Sequence, residues 1–295
     1  MSNNTGIVDY DAQRERVTLL VSRILVYTFM VLIAFVCLFP FWMLIVNSSR
    51  SHAELQSGFA IFLRGHFFDN LIKAWTDTAL IAIPKGLLNS LIIAGGSSLL
   101  SIYFSALTAY GIFVYDFKGR RLVFNFILLI MMIPTQVSVV GFIQLMGKMH
   151  LMNTYWPLII PAIASPATFF YMKQYIQSTL PLEIIEAARV DGANEFYTFN
   201  MISLPILKPA LAVQMIFAFV GSWNNYFTPA LIISSKEKAT VPIMLGLLRS
   251  NINSRNGDMG EIYMFILLSI LPVVIIYIAL SKFIIGGVTS GSVKG

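Results

Sequence analysis

Residues 186–205 have the sequence EAARVDGANEFYTFNMISLP and form a charged segment between two long apolar stretches. Pro181 lies just before it and suits the first turn of a helix, where its missing N–H would be unpaired in any case. Gly192 marks a helix stop, and a second short helical pattern covers about 194–203. The segment therefore predicts a helix, a glycine turn and a second helix, held at a membrane surface.

The composition is that of a membrane protein. The 295-residue chain is 57% hydrophobic and 12% charged, with a mean hydropathy of +0.76, whereas a soluble domain averages about 25% charged residues. Apolar stretches of span length lie at 25–46, 87–114, 122–146, 155–176, 209–233 and 262–285. Because about 20 apolar residues cross a bilayer, we predict an all-α, polytopic membrane protein with six transmembrane helices.

The distribution of Lys and Arg predicts the orientation of these spans. Three basic residues lie in 115–121 and one lies in 147–155, and the tail before the first span adds three more. Lys and Arg in short loops favour the cytoplasmic side. We therefore expect both termini in the cytoplasm. The predicted divisions are a cytoplasmic tail at 1–24, a six-span domain at 25–285 with a cytoplasmic loop at 178–208, and a cytoplasmic C-terminal tail at 286–295.

The sequence lacks the common signatures of enzymes and of nucleic-acid-binding proteins. The net charge is +6, but the basic residues are scattered over loops and form no run or stripe. A Gly-x4-Gly-Lys-Ser/Thr phosphate loop is absent, and the three histidines lack metal-ligand spacing. We therefore expect no catalytic residue, no metal site, no cofactor bound by this chain and no nucleic-acid partner.

The spacing within the charged segment carries a family resemblance. The pattern is Glu-Ala-Ala, three residues, Gly, nine residues, Ile, one residue and Leu-Pro. It resembles the EAA loop of the membrane subunits of binding-protein-dependent ABC importers, a cytoplasmic loop that docks onto an ATPase subunit. The resemblance implies a type I importer permease fold, ATP and Mg on the partner ATPase, and a coupling role for Glu186, Ala187, Ala188, Asp191, Gly192, Leu204 and Pro205. Because Ala187 and Ala188 are small, we expect another surface to approach that face closely.

Two further stretches resemble the carbohydrate branch of these importers, close to the second membrane subunit of maltose-type systems. They are GSWNNYFTPALIIS at 221–234 and SKFIIGGVTSGSVKG at 281–295. The resemblance implies an inner-membrane permease that pairs with a second permease, two ATPase subunits and an extracytoplasmic sugar-binding protein. It also implies that the loop at 234–261 reaches the binding protein. The tail residues implied to contact the ATPase are Ser292, Val293, Lys294 and Gly295.

Polar and aromatic residues of the fifth span are candidates for the substrate pathway. Trp223 and Tyr226 are three residues apart and would share a helix face, with Asn224 and Asn225 between them. Amides at membrane depth are costly unless they face a cavity or a partner, and sugars suit such a surface. Gln136 of the third span is a further candidate. The alternative is that the aromatic rings are interfacial anchors and the amides bond between helices.

The spans contain almost no ionisable side chain, which favours a neutral, hydroxyl-rich solute. We therefore expect the permease subunit of an ATP-driven importer of a sugar or oligosaccharide, embedded in the lipid bilayer of the cytoplasmic membrane. An importer of a polyamine or of phosphorylated glycerol is the first alternative. A stand-alone secondary transporter or channel is less favoured because in-span charges are scarce, and a membrane enzyme because no nucleophile or metal set is present.

Overall fold

The computed structural model describes residues 5–76, 83–252 and 258–291, and the regular elements within these ranges are helical. The candidate tail residues 292–295 lie outside the described residues. The α-helices are α1 (Thr5–Ser48), α2 (His52–Gln56), α3 (Phe67–Thr76), α4 (Ile83–Val114), α5 (Arg120–Met131), α6 (Thr135–Lys148), α7 (Trp156–Ile159), α8 (Pro166–Thr179), α9 (Leu182–Val190), α10 (Glu195–Tyr197), α11 (Leu204–Ile206), α12 (Lys208–Trp223), α13 (Phe227–Ile232), α14 (Val241–Ile252) and α15 (Met259–Gly291).

Three helices of the described chain are long and apolar enough to cross a membrane. They cover Thr18–Ser48, Ile83–Val114 and Met259–Ile284. Two bent pairs raise the number to five if each pair is one span: Arg120–Met131 with Gln136–Lys148, and Glu195–Ile206 with Lys208–Trp223. The second pair is bent by 82°, so its first half departs sharply from the direction of α12. The prediction of an all-α, polytopic membrane protein is confirmed.

Prolines divide the fourth predicted span into short pieces. α7 ends at Ile159, a 3-10 turn covers Ile160–Ile163, and α8 begins only at Pro166. Proline lacks an amide donor and clashes with the preceding turn, so each proline in this stretch lies at the start of a short helix. The stretch at 155–176 is therefore a broken span rather than one continuous helix.

Helix α4, the second of the three long helices, is the centre of the described helices. It packs against α8 and α12 and against the 3-10 turn at Ile160–Ile163. A Cβ added at Gly96 would lie 3.2 Å from Cγ2 of Ile159, so the side chain of Ile159 packs directly against the backbone of α4 there. Small residues permit such approach between membrane helices. The buried face of α4 accordingly includes Ser97, Ser98, Ser101, Ser105 and Ala106.

The two larger apolar clusters of the described chain hold several of the remaining elements against this centre. The first joins α12, α14 and α15 through buried side chains that include Phe219, Met244 and Phe265. The second includes Met172 of α8 and Phe199, which lies in a π turn at Thr198–Ser203. Between membrane helices this packing stabilises the bundle through van der Waals contacts rather than through transfer from water. The second cluster therefore fixes the charged segment to the helix bundle.

Helix α1 is the exception to this packing. Only 6% of its most apolar window is buried within the described chain, and its contacts are mainly with α15. A helix that is apolar all round and exposed within its own chain is typical of a membrane span that faces lipid or another protein.

Candidate coupling segment and transport cleft

Residues 181–207, termed the coupling segment, have the local structure predicted from their sequence. Helix α9 begins after Pro181 and ends before Gly192. Gly192 has φ of +82°, the left-handed region that strains any residue with a Cβ. The side chain of Asn194 then accepts a hydrogen bond of 2.8 Å from the backbone N–H of Tyr197, which caps α10. The helix, glycine turn and second helix are thus confirmed.

One face of the coupling segment is packed against the bundle. Ile185 is fully buried, in the same cluster as Phe199 and Leu207. Ala188 is 6% exposed and lies on the same side of α9, so its small size serves packing within this chain. The expectation that both alanines lie open to another surface therefore holds for Ala187 alone.

The opposite face is open. Within the described ranges, the carboxylates of Glu186 and Asp191 have no hydrogen bond or ion pair. Val190 is 87% exposed, and Phe196 and Met201 are also exposed. Among the remaining candidate coupling residues, Leu204 is half-buried and the exposed ones are Ala187, Gly192 and Pro205. This face combines unpaired carboxylates with large apolar side chains, which is typical of a surface that contacts another protein.

An ion pair bridges the glycine turn. Nε of Arg189 donates to Oε1 of Glu195 at 2.7 Å, and its guanidinium lies 5.5 Å from the ring centroid of Tyr115, just beyond α4. The hydrogen bond from Arg189 lowers the pKa of Glu195, against the opposing effect of burial, and Tyr115 lowers it further. Burial raises the pKa of Tyr115. This polar clasp of Tyr115, Arg189 and Glu195 joins both helices of the coupling segment to the end of α4.

A polar cleft lies between α4, α8 and α12. Its volume is about 280 Å³. Ser97 donates to Ser222 at 2.9 Å, so α4 and α12 share a hydroxyl pair at the wall. Ser101 donates to Thr168 at 3.3 Å, which links α4 to α8 in the same way. The cleft is thus lined by hydroxyl groups from three helices; as a candidate transport pathway it is termed the transport cleft.

A second cavity of about 330 Å³ adjoins the transport cleft. The two share Leu158, Ser222 and Asn225 in their walls. Asn225 therefore lies where both cavities meet. Its carboxamide oxygen accepts a hydrogen bond of 3.3 Å from the N–H of Thr228. The amide NH₂ of Asn225 is thus positioned at an exposed point between the two cavities.

Comparison with known protein families settles the class of the chain. The family described as "Binding-protein-dependent transport system inner membrane component" matches residues 101–289, more than half of the chain. The chain belongs to this family. It is the permease component of an ABC importer, a transport subunit and not an enzyme, with ATP hydrolysis on a separate ATPase subunit.

Individual relatives extend the similarity over nearly the whole permease. The arabinooligosaccharides transport system permease protein of Bacillus subtilis is 34% identical, over 93% of this chain and 97% of the relative. The trehalose/maltose transport system permease protein of Thermococcus litoralis is 31% identical, over 93% and 98%. A solved bacterial ABC transporter involved in the import of the acidic polysaccharide alginate has the same fold, with a TM-score of 0.74, 22% identity and coverage of 91% and 97%.

The permease's Trp223 is part of the protein interior. It is 3% exposed, its ring stacks on Phe219 with centroids 5.5 Å apart, and its Nε1–H donates to the carbonyl of Ser269 at 3.1 Å. Helix α12 ends at Trp223, so the expectation that Trp223 and Tyr226 share a helix face is wrong. The continuous fifth span at 209–233 is likewise broken there, and α13 follows after three residues.

The other candidate pathway residues lie at exposed positions. Asn224 and Tyr226 are exposed but line neither of the two cavities, and the ring of Tyr226 lies against Gly246. Gln136 is exposed near the start of α6, two residues before Ser138, which lines the second cavity. In the described structure Asn225 is therefore the predicted pathway residue that borders the transport cleft.

The hydroxyl residues of the cleft were missed at the level of sequence. Ser97 and Ser101 are four apart on α4 and share one face, and this spacing is the signal in the sequence that could have identified them. The same small hydroxyls both pack against neighbouring helices and line the cleft. Ser165 and Thr168 lie at the end of the proline-rich stretch, where periodicity does not predict which side faces a cavity.

Proposed function

We propose that this permease carries a neutral oligosaccharide across the cytoplasmic membrane, after an extracytoplasmic binding protein delivers it. The family supports a binding protein as donor. Relatives of at least 30% identity include permeases named for arabinooligosaccharides, for trehalose and maltose, for melibiose, raffinose and stachyose, and for maltodextrin. These solutes share many hydroxyl groups and no formal charge.

The transport cleft is the observation that carries this proposal. Its described lining offers the hydroxyls of Ser97, Ser101 and Thr168 and the amide of Asn225, and it includes no ionisable side chain. Hydroxyls and amides both donate and accept hydrogen bonds, as sugar hydroxyls require. A strongly charged solute would ordinarily meet a counter-charge in its pathway. The chemistry of the cleft thus matches an uncharged polyol better than a polyamine or a phosphorylated glycerol.

The open face of the coupling segment is proposed as the docking surface for the ATPase. Glu186 and Asp191 supply unpaired carboxylates, and Val190 supplies a large exposed apolar side chain. Interfaces of this kind combine an apolar centre with a polar rim. The proposed tail contact of residues 292–295 lies outside the described residues. ATP and Mg belong to the docked ATPase in this account.

The packing suggests how motion of the ATPase reaches the transport cleft. The coupling segment is fixed to α8 by the cluster that includes Ile185 and Phe199, and to the end of α4 by the polar clasp. α8 and α4 in turn carry Thr168 and Ser101 of the cleft wall. We infer that ATP-driven displacement of the coupling segment moves these two helices together and changes which side of the membrane the cleft faces.

The proposed assembly contains a second permease, two ATPase subunits and the binding protein, with both termini of this chain in the cytoplasm. The exposed apolar surface of α1 supports a partner in the membrane, because that helix is hardly packed in its own chain. The Lys and Arg distribution supports the orientation. The external loop at 234–261 is the proposed contact with the binding protein.

Uptake by the reconstituted assembly tests the substrate class. The permease is co-purified with its partners, placed in vesicles loaded with ATP, and supplied with labelled neutral oligosaccharides, a polyamine or glycerol phosphate. Thr168→Val removes a cleft hydroxyl at nearly constant shape, and Thr108→Val, on an exposed site of α4, is the matched control. We expect neutral saccharide uptake that Thr168→Val weakens and Thr108→Val preserves. Uptake of charged solutes alone would contradict the proposal.

A further inference from the structure

A separate cavity of about 930 Å³ lies beside the end of α4. It is bounded by the end of α4, the turn that follows it, the first three turns of α5, and Lys173 of α8. None of its lining residues lines the transport cleft. Ligand cavities typically measure about 300–1,000 Å³, so this one is large enough for a sizeable molecule.

Three cations line this cavity. Arg120 and Arg121 begin α5, and Lys173 lies in the wall contributed by α8. None of the three forms an ion pair with a carboxylate in the described ranges, although Asp116 also lines the cavity. Arg120 donates to the carbonyl of Phe113 at 3.1 Å, which leaves most of its guanidinium donors available. The local charge therefore favours an anion.

Lys173 is held in place by neutral groups. Its ammonium lies 4.6 Å from the ring centroid of Phe124 and donates to the side-chain oxygen of Gln177 at 2.9 Å. An ammonium has three donors, so two are left to face the cavity. The cation is thus positioned at the wall without being neutralised.

Apolar side chains of α5 form another part of the cavity wall. Leu122, Phe126 and Leu129 line it and are themselves exposed. They lie three and four residues apart, so they form one continuous stripe on the helix. An occupant of this cavity would meet both positive charge and an apolar stripe, which is the combination that an amphiphilic anion requires.

We propose that this cavity binds an anionic phospholipid of the inner leaflet, with its phosphate between Arg120, Arg121 and Lys173 and an acyl chain along the stripe of α5. The inner-leaflet assignment rests on the proposed function, which places the turn after α4 in the cytoplasm. Basic pockets between membrane helices at that surface suit anionic headgroups, and the apolar stripe favours a lipid over a free phosphate ion.

Lipid retention by the intact assembly tests the proposal without reference to transport. The assembly is reconstituted in phosphatidylcholine vesicles that contain a minor fraction of phosphatidylglycerol, extracted in mild detergent, and analysed for bound lipid by native mass spectrometry. The test variant is Arg120→Gln, Arg121→Gln, Lys173→Gln. The charge-matched control is Arg23→Gln, Lys208→Gln, Lys282→Gln, which removes three cations that do not line the cavity.

We expect the test variant to retain phosphatidylglycerol on the order of 100-fold more weakly, since each basic residue near the membrane surface strengthens binding about fivefold. The control should retain it as the unchanged chain does. Equal loss in both variants, or in neither, would overturn the proposal. Binding of inorganic phosphate alone as strongly as the lipid would also overturn the proposal. It would show a site for the headgroup in which the apolar stripe has no role.

A photoactivatable phosphatidylglycerol with its reactive group on the acyl chain supplies a second readout. Adducts on the peptide that contains Phe126 and Leu129 support the proposal, and adducts elsewhere contradict it. Cross-linking of a partner polypeptide to Phe126 in place of lipid would show that protein fills the cavity and would contradict it too. If the assembly with the unchanged chain retained the lipid normally but took up no saccharide, that result would count against the proposed function alone.

Discussion

Gly192 occupies the one point of the coupling segment where the chain must reverse without a side chain. Its φ of +82° costs an alanine roughly 1–2 kcal/mol, while a Cβ there would meet no heavy atom within 4 Å. The penalty is therefore backbone strain and not collision. Because the turn sets the angle between α9 and α10, the strain acts directly on the shape of the proposed docking surface.

We predict that Gly192→Ala lowers saccharide uptake several-fold by the reconstituted assembly while the permease stays folded. The matched control is Gly58→Ala, at an external glycine that also has positive φ and open space around its Cβ. Both variants should lower the unfolding temperature to a similar extent, as measured by thermal denaturation in detergent. Equal uptake by the two variants would show that the turn has no special role in coupling.

Asn225 is the residue at which the sequence-based substrate prediction and the cavity geometry agree. Loss of one hydrogen bond to a bound sugar is worth about 1–1.5 kcal/mol, or roughly tenfold in affinity. We predict that Asn225→Leu raises the saccharide concentration for half-maximal uptake about tenfold. Asn224→Leu, next in the chain but lining neither cavity, should leave that concentration unchanged. If Asn224→Leu raised that concentration and Asn225→Leu did not, the pathway would lie on the side of the chain that carries Asn224.

Trp223 shows why individual site residues are harder to predict than the segment that contains them. The sequence indicates a polar and aromatic cluster in an apolar stretch, and the cluster is present. Whether each side chain faces a cavity depends on where α12 ends, and the sequence did not indicate that break. Because the helix ends at Trp223, its indole turns toward Ser269 while Asn225 turns toward the cavities.

At the scale of elements, the polar clasp makes the two helices of the coupling segment move as one body with the end of α4. The Arg189–Glu195 ion pair crosses the glycine turn, which would otherwise bend freely. Its side chains are partly exposed, so it contributes at most about 1 kcal/mol to stability. Its importance is therefore geometric, since it fixes an angle rather than the fold.

A charge swap tests this geometric role. We predict that Arg189→Glu alone reduces substrate-stimulated ATP hydrolysis while basal hydrolysis persists, because like charges then repel across the turn. The double variant Arg189→Glu, Glu195→Arg restores the pair and should recover much of the stimulation. Failure of the double variant to recover, with assembly intact by size-exclusion chromatography, would assign Arg189 a direct contact with the ATPase.

The clasp should also have a defined pH response. The pKa of Glu195 lies below its ordinary value of 4.5 in the folded chain, so the ion pair stabilises the fold above that ordinary value. This contribution is lost as pH falls through the lowered pKa. We predict that Glu195→Gln has a constant effect on unfolding temperature near neutral pH and none in strong acid. An effect that grows toward acid would contradict this sign.

The elements themselves were predictable where one strong local signal dominated. Long uncharged runs predicted α1, α4 and α15, and the proline and glycine punctuation predicted α9 and the turn after it. The stretch at 155–176 has the same apolar composition, yet three prolines divide it. The apolar composition predicts a membrane-spanning run. Whether that run forms one helix depends on the backbone hydrogen bonds that proline removes.

At the scale of the whole molecule, the sequence cannot specify which faces of the permease remain uncovered. α1 is apolar over residues 24–46 and hardly packed there in its own chain, while the open face of the coupling segment combines carboxylates with exposed Val190. Both exposed surfaces are explained by the partner proteins proposed to cover them. The permease is therefore one part of a larger proposed assembly. The transport cleft lies within its helices, and the coupling segment is the surface proposed to meet the ATPase.

Site-specific photo-cross-linking at Val190 is the sharpest test of whether the coupling segment docks onto the ATPase. A photoreactive amino acid replaces Val190 in the intact assembly, and the matched control places it at Phe62, which is similarly exposed in the external loop. We predict that Val190 cross-links to an ATP-hydrolysing polypeptide on the cytoplasmic side and that Phe62 does not. An adduct with that polypeptide from Phe62 but not from Val190 would contradict the account.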